Sequence, residues 1–101
     1  MKTYIPDKFV IIKIDNHKEI YKVVGEWSCR FLNGGSWRIN SGIKYYTQKN
    51  DTLSLYSHSG SVYNVNVESE GISSTMIPLL SQIGASVIEW DLAKHHIEEK
   101  T

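Results

Sequence analysis

Apolar and polar positions alternate most regularly over residues 51–67. Leu53 and Leu55 fall on one side of an extended chain, with Thr52, Ser54 and Tyr56 on the other. Beyond a break at His58-Ser59-Gly60, Tyr63, Val65 and Val67 alternate with Val62, Asn64 and Asn66. Period-two patterning predicts half-buried strands, here a hairpin whose apolar face the rest of the chain covers. A two-residue loop at Ser59-Gly60 would set Leu55 opposite Asn64 and Ser54 opposite Val65. A three-residue loop, His58-Ser59-Gly60, pairs Leu55 with Tyr63 and Leu53 with Val65. It also puts Gly60 where the backbone turns left-handed. Because a one-residue slip turns every side chain over, the second register is predicted. Its inner side chains are expected to meet an apolar stripe in residues 76–83. Its outer face carries Tyr56 beside Val62 and Ser54 beside Asn64.

Residues 9–15 and 19–27 predict a first hairpin with two workable loops. Asn16-His17 alone pairs Ile12 with Tyr21 and Val10 with Val23, whereas a loop over 16–19 pairs Ile12 with Val23 and Ile14 with Tyr21. Val10-Ile11-Ile12 is apolar on both faces, which suits a central strand or one covered by a helix. Trp27, Cys29 and Phe31 then share a face, and Asn33-Gly34-Gly35-Ser36 is the strongest turn signal in the chain. Residues 36–40 read as a short strand directing Trp37 and Ile39 one way and Arg38 the other, broken by Ser41-Gly42. Residues 43–48 lead through Lys49-Asn50-Asp51 into the second hairpin. That three-residue connection pairs Tyr45 with Leu55 and Thr47 with Leu53, leaving Lys44 and Tyr46 outside.

After an exit loop at 68–72, Ser74 or Thr75 can cap a helix with Pro78 in its first turn. Met76, Leu79, Leu80 and Ile83 form one stripe, and Gly84 stands just past the end. At under three turns this helix needs the sheet to hold it. Residues 86–90 predict a last strand, and 91–101 a helical turn or a frayed tail. The expected fold is therefore α+β: an antiparallel β-meander of about six or seven short strands, with one short C-terminal helix packed on one face. Residues 1–101 make a single small domain.

Composition narrows the class without naming an activity. The chain has 101 residues, 41% hydrophobic and 22% charged, which suits one globular core with stability of order 5–10 kcal/mol. No run of ~18 apolar residues offers a membrane span. Lys8 and Lys13 flank the short apolar core of the first fifteen residues, which reads as a strand and not a secretory signal. A single cysteine, Cys29, makes no internal disulfide, and a reducing cytoplasm is the expected setting. Net charge is zero, yet residues 1–49 hold nine basic and four acidic side chains, a net of +5, and residues 50–101 a net of −5. Such a split can steer a charged partner, unless strands from the two halves interleave and the field cancels.

No arrangement in the sequence supports catalysis or a cofactor. His95 and His96 with Asp91, Glu98 and Glu99 are the one cluster of metal-ligand types, but adjacent histidines point apart on a helix or a strand. Cys29 lies on a patterned strand face beside Trp27 and Phe31, where a thiol acts as a small hydrophobe. His58-Ser59 sits in a tight turn that already explains both residue types. Asn33-Gly34-Gly35-Ser36 lacks the lysine and helix of a phosphate loop. No metal, cofactor or catalytic residue is expected.

Binding is the class that remains. Tyrosine, tryptophan and arginine anchor interfaces, with serine and asparagine as adaptable polar contacts. The outer sheet face is expected to present Tyr46, Tyr56 and Val62 rimmed by Arg38 and Lys44, and these five residues are the candidate partner-binding set. A protein partner is expected, and an exposed edge strand offers a homodimer. The alternative is single-stranded nucleic acid held on exposed aromatics with flanking cations, although no RNP-type motif is present and the net charge is neutral. A short neutral domain without a catalytic constellation resembles the small proteins of phages and mobile elements. Many of these occupy a surface of a host machine, anti-CRISPR inhibitors of bacterial defence complexes among them. That resemblance rests on size and character alone, and implies function only by analogy.

Overall fold

The computed structural model describes residues 1–15, 20–28 and 36–100. Eight strands are seen among them: β1 (Thr3–Tyr4), β2 (Lys8–Ile14), β3 (Ile20–Trp27), β4 (Ser36–Ile39), β5 (Ile43–Lys49), β6 (Thr52–Ser57), β7 (Val62–Asn66) and β8 (Ala85–Ile88). Two short helices, α1 (Ile77–Gln82) and α2 (Trp90–Ala93), flank β8. The fold is α+β, and its antiparallel strands divide between two sheets. One runs β1-β7-β6-β5 and the other β4-β3-β2-β8, with β1 alongside β7 the one parallel pair of strands.

The β6–β7 hairpin has the predicted register, Leu53 opposite Val65 and Leu55 opposite Tyr63. Its three-residue turn closes with the Ser57 N–H donating to the Ser61 carbonyl at 2.8 Å, and Gly60 takes φ 95°. Leu53, Leu55, Tyr63 and Val65 are buried, but not against the helix stripe that the alternation suggested. They pack on Phe9, Ile11, Tyr21 and Val23 of the second sheet, forming a core between the sheets. The helix lies on the far side of that second sheet, where Met76 and Leu80 cover Val10, Ile12 and Val24. Three layers result, and the middle one is buried on both faces. This is why Val10-Ile11-Ile12 has no polar alternate.

The β2–β3 register falls between the two predicted loops, with Ile12 opposite Lys22 and Ile11 opposite Val23. A strand that buries both faces carries no parity signal to set its register. Loop residues 16–19 lie outside the described residues, as do Cys29 and most of the 33–36 turn.

The largest departure is in β5. Asn50 is left-handed at φ 57°, so Asn50-Asp51 alone connects Lys49 to Thr52. This loop is one residue shorter than expected. Tyr46 therefore stands opposite Leu55 and turns inward, while Tyr45 stands opposite Tyr56 and turns outward. A bulge between Ile43 and Tyr45 restores the original parity at Ile43, which stays buried.

At the C-terminal end, Pro78 and Gly84 (φ 72°) bracket α1 as expected, but neither Ser74 nor Thr75 caps it. Only Met76 and Leu80 of the stripe are buried; Leu79 and Ile83 remain 43% and 53% exposed. Met76 stands in the 3-10 turn before α1, and the six helical residues, less than two turns, seat Leu80 alone. Trp90 was expected to close the last strand. It opens α2 instead and packs edge-on against Tyr46 with ring centroids 4.8 Å apart. Residues 91–100 do not fray. The Tyr46 N–H donates to the Glu98 carbonyl at 2.9 Å and the Lys100 N–H to the Tyr46 carbonyl at 2.8 Å, so the tail lines the open edge of β5.

Candidate functional site

The outer face of the β5-β6-β7 sheet carries Tyr45, Thr47 and Lys49, then Thr52, Ser54 and Tyr56, then Val62, Asn64 and Asn66. No acidic residue stands at these positions. Tyr45 and Tyr56 stack with centroids 4.6 Å apart and planes 19° from parallel. The Lys100 ammonium lies 4.5 Å from the Tyr45 ring centroid, a cation–π contact that holds the tail across the strand edge. Beside them the Ser54 hydroxyl donates to Asn64 Oδ1 at 2.8 Å.

The five candidate residues are not brought together. Tyr56 is half-buried on this face, and Lys44 is exposed at the adjacent bulge. Tyr46 is buried between the sheets by the shorter β5–β6 loop, which corrects its expected outward placement. Val62 does point to the outer side but is only 6% exposed, between Tyr56 on β6 and Thr3 on β1, so it offers no contact surface. Arg38 belongs to the other sheet. Trp37, expected inside, is 47% exposed on the edge strand β4 beyond the reach of α1. Sequence reasoning missed Tyr45 and Lys100. The signal for Tyr45 was Asn50, a residue that tolerates left-handed backbone and so permits the shorter loop.

Arg38 leads to a second feature, a cleft of about 630 Å³ at the end of the molecule where β6 turns into β7. Its walls come from Lys2 and Tyr4, from Arg38 to Ser41, and from the Ser59-Gly60-Ser61 turn with Tyr63. The Arg38 guanidinium carbon sits 4.7 Å from the Tyr4 ring centroid. Tyr4 in turn leans on Tyr63 at 5.0 Å and on the edge of Trp27 at 6.2 Å.

Beneath the cleft, buried Asn40 joins the two sheets. Its Oδ1 accepts from the Val23 N–H at 2.9 Å, and its Nδ2 donates to the Ser57 hydroxyl oxygen at 2.9 Å. Ser57 also accepts from the Ser61 hydroxyl. The opposite end of β7 leads into a shallower groove with Glu70, Glu89 and Asp91 on its walls. The two charged halves of the chain thus interleave within both sheets, yet leave one cationic and one acidic pocket.

Burial pushes the Tyr63 phenol up from 10.0 to about 12, against a partial pull downward from Arg38. Burial and nearby Glu99 also raise Tyr46. The folded chain thus holds the Tyr63 proton more tightly than the unfolded chain does. This contribution to stability is intact below pH ~10 and is lost as pH rises toward ~12. Urea midpoints are expected to fall across that window for the native chain and less steeply for Tyr63→Phe. Parallel profiles for the two would remove Tyr63 as the cause.

Among the described residues, no three His, Cys, Asp or Glu side chains group as metal ligands. His96 is instead stacked on Tyr21 at 5.6 Å. No described helix is long and apolar enough to cross a membrane. Comparison with protein-family models, with curated proteins and with solved structures gives no match.

Proposed function

We propose that this chain is a non-catalytic binding module that docks an acidic protein surface on the outer face of its β5-β6-β7 sheet. The observation that carries this reading is the half-buried Tyr45–Tyr56 stack, on a sheet face whose strand positions carry Thr, Ser, Asn and Lys49 and no acidic residue. Paired tyrosines supply large contact area at low conformational cost, and the surrounding Thr, Ser and Asn hydrogen-bond adaptably. Lys44, Lys49 and Lys100 would steer an acidic partner into place. The narrower reading, an inhibitor of a bacterial defence assembly such as an anti-CRISPR acting in the cytoplasm, is supported only by small size and the lack of a catalytic constellation.

Single-stranded nucleic acid fits this face less well. Tyr45 already has both Tyr56 and the Lys100 ammonium against its ring, so Tyr56 is left as the one platform for a base. Self-pairing through a strand edge is also restricted. The tail lines the edge of β5, and the remaining edge strands β1, β4 and β8 are four residues or shorter.

Tyr56→Ala is expected to keep the native melting temperature within a few degrees and to weaken partner binding by at least ~1–2 kcal/mol. The test is capture from a host lysate by the native chain and the variant side by side, then titration of the retained protein. Equal affinity for both chains would exclude this face. Steeply salt-dependent binding of a short oligonucleotide would favour nucleic acid instead.

A further inference from the structure

The cleft at the β6–β7 turn is separate from the tyrosine face, and its chemistry is that of an anion site. We propose that it binds a dianionic phosphoryl group, as free phosphate or as a phosphate monoester.

The first support is charge. Lys2 and Arg38 line the cleft and no carboxylate does. Among the described residues, the one ion pair is Lys94 with Asp91, so neither cleft cation is neutralised by an acid. A concave surface lined by one sign of charge concentrates its field on whatever enters. The volume, about 630 Å³, lies within the range of small-ligand sites.

The second support is pre-organisation. An exposed arginine ordinarily samples many rotamers, but here the guanidinium rests on the Tyr4 ring at 4.7 Å. Tyr4 is held by Tyr63 and by Trp27, whose Nε1–H donates to the Ile5 carbonyl at 3.0 Å. A guanidinium held over a ring face is restricted in its rotamers, and its N–H fork can serve two oxygens of one oxyanion. Ser41 is tied to the turn by the Ser59 N–H at 3.0 Å, which fixes the facing wall.

The third support distinguishes phosphate from carboxylate. Two cations, with Ser41 and Ser59 also on the walls, match a group of charge near −2 with three or more oxygens. A carboxylate brings one charge and two oxygens, and would leave one cation unused.

The test is titration of the full chain, at low ionic strength, with inorganic phosphate, a nucleoside monophosphate and acetate. Amide NMR shifts and calorimetry serve as readouts. Phosphate or the monophosphate should bind at least tenfold more tightly than acetate. A tighter monophosphate assigns the cleft to an ester, and equal affinities assign it to free phosphate.

Arg38→Gln should weaken phosphoryl binding at least tenfold with the melting temperature little changed. Arg38→Lys, which keeps the charge and loses the fork, should fall between. Lys44→Gln, outside the cleft, and Tyr56→Ala, on the tyrosine face, should leave the affinity unchanged. Failure here is therefore distinct from failure of the protein-docking reading. Binding of neither phosphoryl probe, equal binding of acetate, or an Arg38→Gln loss matched by Lys44→Gln would overturn the proposal.

Discussion

Ile11→Ala is expected to destabilise the chain by about 3–4 kcal/mol, the largest effect of any single truncation considered. Ile11 is fully buried in the core between the sheets, opposite Val23 on β3 and Ile88 on β8. Hydrogen-bonded ladders on both sides hold its strand, so the backbone cannot close over the void. The lost side chain therefore costs both its transfer free energy and the cavity left behind. Against a total of order 5–10 kcal/mol, a third or more of the stability disappears. At roughly 4–8 °C per kcal/mol, the melting temperature should fall by about 12–30 °C. Val87→Ala on the edge strand β8 is the control, because Val87 is already 48% exposed; its cost should stay below about 1 kcal/mol. Urea unfolding of both variants measures the contrast. A loss below about 1 kcal/mol at Ile11 would mean that the two sheets are not packed through this residue.

Asn40→Leu is expected to cost about 2–4 kcal/mol although the side chains are similar in size. The substitution leaves the buried Val23 N–H without its acceptor and takes away one of the two donors to the Ser57 hydroxyl, which keeps Ser61. Each buried group left unsatisfied costs about 1–3 kcal/mol. Because Asn40 also lies on the cleft wall, the damage should extend to phosphoryl binding through a loosened Arg38 strand. A double-mutant cycle with Ser57→Ala isolates the contact, and a coupling of about 1 kcal/mol is expected. Strictly additive losses would show that the two side chains stabilise the fold independently.

Neither residue announced its role in the sequence. Ile11 sits in an apolar run whose parity is silent, and Asn40 resembles any polar residue ending a short strand. By contrast, the β6–β7 hairpin was legible to the residue. Its two strands bury one face each, and Gly60 marks the left-handed position, so alternation and turn chemistry select the same register. Pro78 and Gly84 located α1 for a similarly local reason. The β5 face was misread because it hinged on one loop residue. Asn50 tolerates a left-handed backbone without demanding it, and the shorter loop exchanges Tyr45 for Tyr46.

Local pattern by itself thus determined the α+β class, most of the strands, the short helix and the central hairpin. These depend on neighbours within a few residues, where sterics and side-chain parity act directly. Which surfaces meet was decided only by the tertiary structure. The division into two sheets, the seating of α1 on β2–β3, the burial of Asn40 and the convergence of Lys2, Arg38 and Ser59 on one cleft all join positions far apart in the chain. Each depends on the shape and polarity of a distant partner, which periodicity along one segment does not record.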